Sequence, residues 1–139
     1  MVEKIQKTNA EWAEQLTPEQ YKICRKKGTE RPGTGRLNKI PSHGTFVCIA
    51  CEQELFQSVD KFESGTGWPS FFRAISPDAV DLHDDVSLFA RRTEVVCSRC
   101  DSHLGHVFDD GPPPTGKRFC MNSLAMGFRP KDSDAIVPG

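Results

Sequence analysis

The cysteines of this chain fall into two kinds. Four form two Cys-x-x-Cys pairs, Cys48 with Cys51 and Cys97 with Cys100. Two residues between thiolates let one turn present both sulfurs to a tetrahedral ion, and four thiolates close a structural zinc site with no position left for catalysis. The gap between the pairs is longer than in a compact zinc finger, so the expected site is a clip joining two parts of a larger fold. A pair of disulfides or a dithiol redox site would use the same residues. His103, three residues after Cys100, is a further possible ligand, and a rubredoxin-like iron site has the same donor set.

Cys120 and Cys24 remain once those four are set aside. Cys120 lies in Lys117-Arg118-Phe119-Cys120-Met121-Asn122-Ser123-Leu124. In a strand, side chains alternate, so Arg118, Cys120 and Asn122 share one face. A fixed cation beside a thiol favours the thiolate, which is the nucleophile. The plainer explanation is a strand with a polar outer face and an incidental cysteine. His103 and His106 supply proton donors near physiological pH, and Gly105 between them permits a bulge that turns both toward one site. Each histidine alone would more often be a surface or packing residue. Trp68, carried by Gly-Thr-Gly-Trp-Pro (65–69), is either an exposed indole or a core anchor. Together these groups describe a redox thiol site. Cys24 by itself reads as a small buried apolar residue.

Which elements hold these groups? Residues 1–30 form an expected N-terminal helical arm. Thr8 with Glu11 fits a capping box, Trp12 and Leu16 make an i, i+4 apolar pair, and Thr17-Pro18-Glu19-Gln20 starts a second helix. Tyr21 and Cys24 share its inner side, and Gly28 suits its C-cap. Residues 28–44 are turn-rich, including Ile40-Pro41-Ser42-His43-Gly44. Thr45 to Ile49 is a strand entering the first cysteine pair. Val47-Cys48-x-x-Cys51-x-x-x-Leu55 repeats as Val96-Cys97-x-x-Cys100-x-x-x-Leu104, two knuckles folding toward each other. Within Phe62 to Phe72, the Gly-Thr-Gly-Trp-Pro segment is a loop carrying Trp68. Val86–Arg91, Thr93–Val96 and Lys117–Met126 are expected strands, and Asp109–Gly116 a stiff Pro-rich loop. Residues after Phe128 are an expected tail.

The 139 residues suit one domain with a modest core. A net charge of -1 and no large Lys/Arg cluster argue against nucleic acid or an anionic membrane as partner, and so against a zinc-ribbon nucleic-acid binder. No apolar run approaches a membrane span, and the polar start Met1-Val2-Glu3-Lys4 lacks a signal peptide's apolar core. The expected location is the reducing cytoplasm, where six cysteines read as ligands or redox thiols.

Several of these motifs together resemble the B-type methionine-R-sulfoxide reductases, the MsrB family. They are Gly-Thr-Glu-Arg-Pro (28–32), Ser-Gly-Thr-Gly-Trp-Pro-Ser-Phe (64–71), both cysteine pairs, Ser-His-Leu-Gly-His-Val-Phe-Asp-Asp-Gly (102–111) and Arg-Phe-Cys-Met-Asn-Ser (118–123). The resemblance runs in order from about Leu16 to Phe128. It implies a mainly β fold of two small antiparallel sheets with a helical arm and a four-cysteine zinc clip, all in a single catalytic domain over residues 1–139. It implies that Cys120 attacks the sulfur of methionine-R-sulfoxide, free or in oxidised proteins, becomes a sulfenic acid and releases methionine. Arg118 would favour the thiolate, and His103, His106 and Asn122 would orient the sulfoxide and protonate its oxygen. Trp68 would hold the ε-methyl group, a fit that an indole face offers to a sulfur turning cationic. Two positions depart from the family pattern. Thr66 stands where many members carry the resolving cysteine, so Cys24 becomes the expected resolving thiol, with thioredoxin as reductant. Gly33 stands where an aromatic commonly follows Glu-Arg-Pro. The alternative is a zinc-stabilised binding module of the same fold with no catalysis.

Overall fold

A computed structural model of the chain describes residues 4–38, 43–86 and 91–139. The arm forms as its caps demand. Helix α1, Asn9–Gln15, starts at Thr8 with a complete Thr8–Glu11 capping box, and α2, Pro18–Lys26, starts at Thr17 with a Thr17–Gln20 box and Pro18 in its first turn. Trp12, Leu16, Ile23 and Cys24 are buried and Tyr21 packs at their edge. The left-handed residue that ends α2 is Lys27 (φ 56°), one position before the expected Gly28. A side chain is wanted there, because the Lys27 ammonium reaches Glu94 at 3.2 Å.

Ten strands follow among the described residues: β1 (Gly44–Cys48), β2 (Glu54–Gln57), β3 (Lys61–Phe62), β4 (Ser70–Phe71), β5 (Val80–Val86), β6 (Arg91–Cys97), β7 (His103–Phe108), β8 (Arg118–Met121), β9 (Met126–Pro130) and β10 (Val137–Pro138). They make two antiparallel sheets of order β10-β9-β1-β2 and β3-β4-β8-β7-β6-β5. Phenylalanines from both sheets meet between them. Phe71 of β4 stacks on Phe56 of β2 at 4.4 Å and meets the edge of Phe46 of β1 at 4.9 Å. Such pairs contribute roughly 0.5–1.5 kcal/mol each beyond area burial. Phe119 of β8 joins the same cluster, 5.7 Å from Phe56, which leaves its neighbours Arg118 and Cys120 on the opposite face of the sheet.

Two expectations about elements change, and one strand was not expected at all. The single strand over Lys117–Met126 is two strands in different sheets, separated by a 3-10 turn at Ser123–Ala125. Ser123 fixes that break by accepting the Leu37 backbone N–H through its Oγ at 2.9 Å. The tail after Phe128 is partly ordered, because Val137–Pro138 pairs with β9 as an edge strand too short to show a period. Strand β5 carries Asp81, His83, Asp84 and Asp85, a composition poor in strand formers, and its edge position leaves His83 and Asp84 to solvent while Asp85 reaches His106. Of the expected Val86–Arg91 strand and the Ile40–Gly44 turn, residues 87–90 and 40–42 lie outside the described residues. No helix among the described residues is long and apolar enough to cross a membrane.

Candidate active site and metal knuckles

The sequence repeat becomes a repeat of hydrogen bonds. In the first knuckle the Cys48 N–H donates to Gln53 O at 2.8 Å and the Glu52 N–H to Cys48 O at 2.8 Å. In the second, the Cys97 N–H donates to Ser102 O at 2.9 Å and the Asp101 N–H to Cys97 O at 2.9 Å. Each turn closes on a left-handed residue just after its second cysteine, Glu52 (φ 65°) and Asp101 (φ 62°). The sulfurs of Cys48, Cys51, Cys97 and Cys100 then lie within 4.8 Å of one another, with Cys48–Cys100 at 3.6 Å and Cys51–Cys97 at 3.5 Å. Metal–sulfur bonds of about 2.3 Å in a tetrahedron place sulfurs about 3.8 Å apart, so the quartet fits one thiolate-bound ion. His103 does not join this cluster; its Nδ1 lies beside Glu94 instead. Ser102 Oγ lies 3.1 Å from Cys100 Sγ, and Gln53 Nε2 lies 3.6 Å from Cys97 Sγ, the supporting contacts expected around such a site. The arm docks here, with Gln15 Nε2 donating to Ala50 O and Arg25 Nη1 donating to Cys100 O at 2.8 Å.

The thiol pocket forms on the face of the larger sheet that Phe119 leaves free. Thr29, Thr66, Trp68, Arg92, His106, Arg118, Cys120 and Asn122 are among its lining residues. Cys120 is the cross-strand partner of both His106 and Ser70. The expected bulge is present: the β6–β7 register shifts between Val95 and Val96, which skips Leu104 and brings the two histidine rings to 5.4 Å. Gly105 is required by close approach, since a Cβ there would lie 2.1 Å from Cys120 O and 2.9 Å from Met121 Cα.

The histidines nevertheless have different stations. His106 lines the pocket and its Nε2 sits 2.8 Å from Asp85 Oδ2. His103 is not among the lining residues; it is buried behind, with Nδ1 2.7 Å from Glu94 Oε2 and Nε2 without a partner. Burial pushes its pKa below the ordinary histidine value, against the pull of Glu94. Sequence reasoning missed Asp85 and Glu94, because carboxylates on strands read as solvated faces.

Arg118 donates from Nε and Nη2 to the two oxygens of Asp110, at 2.9 and 3.2 Å, and lies over the Phe108 ring at 4.4 Å. That clamp holds the Asp110 carboxyl below its usual range. The Cys120 thiol moves the other way from the expectation. Burial raises its pKa, and Arg118, whose charge Asp110 shares, offsets this only in part with help from the Thr66 hydroxyl. Thr66 is held by a chain of hydroxyls, Ser64 Oγ lying 2.7 Å from both Thr66 Oγ1 and Ser70 Oγ.

Cys24 is not among the pocket's lining residues. It is buried beside Cys100 and Ser102, and burial pushes its thiol up to about 12. The structure does not bring it to Cys120 in this state.

The SelR domain model matches residues 16–130 of the chain. A protein of Methanosarcina mazei named peptide methionine sulfoxide reductase MsrB is 60% identical over 125 residues, covering 90% of this chain and 89% of that protein. Proteins with the same name from Pseudomonas putida (strain W619) and Hahella chejuensis are 53% identical over 131 residues and 48% identical over 134 residues, each covering at least 94% of this chain and 96% of theirs. With the knuckles and the pocket falling inside those spans, the chain belongs to the MsrB family.

Proposed function

We propose that this protein reduces methionine-R-sulfoxide, free or in oxidised proteins, to methionine. The observation that carries the reading is Cys120 lying cross-strand to His106, in a pocket with Trp68 and Asn122, in a chain of this family. The Cys120 sulfur attacks the sulfoxide sulfur while the sulfoxide oxygen takes up protons. The S–O bond breaks, oxygen passes to Cys120 as a sulfenic acid, and methionine leaves with its sulfur reduced. His106 is the histidine at the pocket wall and delivers the proton; His103 lies behind it, held by Glu94. Because the free Cys120 thiol is raised, substrate seating must bring the proton transfer and the attack together.

Recycling is a second part of the reading. Cys24 is the only cysteine left beside the metal quartet and Cys120, and it resolves the sulfenic acid as a disulfide with loss of water, which thioredoxin then reduces. This requires α2 to leave Cys100 and Ser102, and the same release restores an ordinary thiol to a group now held near 12. The burial of Cys24 favours a second reading, direct reduction of the sulfenic acid by an external thiol. We assign the knuckle ion as a structural zinc, held by Cys48, Cys51, Cys97 and Cys100, and the working compartment as the cytoplasm.

The test of the activity is Cys120→Ser. Parental protein forms about one methionine per chain from the R epimer in a single turnover without reductant and ignores the S epimer. The variant forms none while keeping its metal and its unfolding midpoint. Methionine production by Cys120→Ser would refute the assignment.

A further inference from the structure

The Gly-Thr-Glu-Arg-Pro segment lines the pocket through Thr29, but the thiol chemistry gives its Glu30 no task. Its Glu30 is 6% exposed. The backbone N–H of Glu30 donates to Asn122 Oδ1 at 3.0 Å, and its C=O accepts the Trp68 indole N–H at 3.0 Å. Its carboxylate Oε1 accepts the Leu124 N–H at 2.9 Å, in the turn that directly follows Asn122. The other oxygen, Oε2, is buried without a partner. A buried carboxylate left half-satisfied costs free energy, and the chain accepts that cost here at the back of its pocket. The surroundings are closed: a Cβ on Gly35 would lie 2.4 Å from Glu30 Oε2 and 2.5 Å from Ser123 Cβ.

The consequence for the pocket follows from counting donors. Asn122 Oδ1 is taken by Glu30, and Asn122 Nδ2 gives one N–H to Leu104 O at 3.1 Å. The amide cannot flip, so its remaining N–H is the donor it offers to a sulfoxide oxygen. The Trp68 ring is fixed by its edge in the same way. Both groups hang from one residue.

We propose that Glu30 is a positioning residue for the sulfoxide pocket: its main chain sets the orientation of Trp68 and Asn122, and its buried carboxylate fastens that main chain to the turn after Asn122. The proposal rests on the sulfoxide-reductase reading above. The competing explanation is a buried residue needed only for folding.

The experiment compares Glu30→Gln, Glu30→Asp and Glu30→Ala in the full chain. Four readouts decide it: kcat/KM with methionine-R-sulfoxide, iodoacetamide alkylation of Cys120, metal content, and the Trp68 indole and Asn122 amide NMR signals. Gln keeps an Oε1 acceptor for Leu124 and stays within about threefold of the parental kcat/KM. Ala loses about a hundredfold, the order of effect that a displacement near 1 Å produces, while Cys120 alkylates at least as fast as in the parent. In an Asn122→Ala background, Glu30→Ala adds less than about threefold, as expected for groups acting through one another. A parental kcat/KM in Glu30→Ala, full additivity with Asn122→Ala, or alkylation falling in step with turnover overturns the proposal. Should Glu30→Ala fail to fold, Glu30→Asp carries the test: about a tenfold loss with unchanged alkylation supports it, and parental turnover overturns it. A parental protein that reduces no sulfoxide sinks the functional reading alone. The positioning claim is then decided by the NMR signals, which shift in Glu30→Asp if it holds and stay in place if it does not.

Discussion

The metal knuckles take their four donors from two short turns that repeat each other, each closed on a left-handed residue, Glu52 or Asp101, and each donating the N–H of that residue back to its first cysteine. The thiol pocket takes Thr29, Trp68, His106 and Cys120 from separate stretches, and no two of its walls share a pattern. Local geometry almost completes the first. The second exists only where β7, β8, the Trp68 loop and the Glu30 segment are pressed together. The difference shows in the side chains. Knuckle sulfurs face one another, while several pocket residues are held by a partner: Arg118 by Asp110, His106 by Asp85, Trp68 and Asn122 by Glu30. The helical arm touches the knuckles at Arg25–Cys100 and the buried Glu94 behind the pocket at Lys27.

If the knuckles are a clip on which the rest depends, the largest effect comes from opening them. Metal binding by four thiolates contributes free energy on the order of 10 kcal/mol to folding. Cys48→Ser, or exhaustive chelation, is expected to abolish cooperative unfolding and release the arm, read by calorimetry and metal analysis on the same sample. A Cys48→Ser protein with the parental midpoint would break the comparison, since the quartet would then hold nothing together.

A smaller effect is expected from damage confined to the pocket. Gly105→Ala drives a Cβ into the Cys120 carbonyl and should cost about 1–3 kcal/mol, the range for overpacking. Single-turnover methionine formation should fall with it, because His106 and Cys120 are forced apart, while metal content stays parental. Urea unfolding and rapid-quench assays check this. Loss of metal from Gly105→Ala would show that the two regions are not separable.

The smallest effect, and the one that places Cys24 in one region or the other, belongs to Cys24→Ser. A stability loss of about 1 kcal/mol is expected for this buried substitution, with the single turnover intact and thioredoxin-supported cycling sharply reduced. Parental cycling together with weakened metal retention would make Cys24 part of the knuckle and leave the sulfenic acid to an external thiol.

What did the sequence determine alone? Spacing of two between cysteines, repeated with the same flanking Val and Leu, is enough to specify both knuckles, because a tight turn is local and its hydrogen bonds close within it. The capping boxes at Thr8 and Thr17 are local in the same sense and formed as expected. The alternation Arg118–Cys120 was legible because strand period is a property of the backbone, and the bulge at Gly105 because only glycine admits that approach. Tertiary structure alone decided the rest. Two histidines with identical intrinsic chemistry became a pocket residue and a buried one, since the bulge sets which faces a carboxylate from β5 and which one from β6. Cys120 sits above the ordinary thiol range although Arg118 is beside it, because burial and the competing claim of Asp110 are set by packing. Cys24 lies against the knuckle because α2 docks there, and no spacing along the chain encodes where a helix docks.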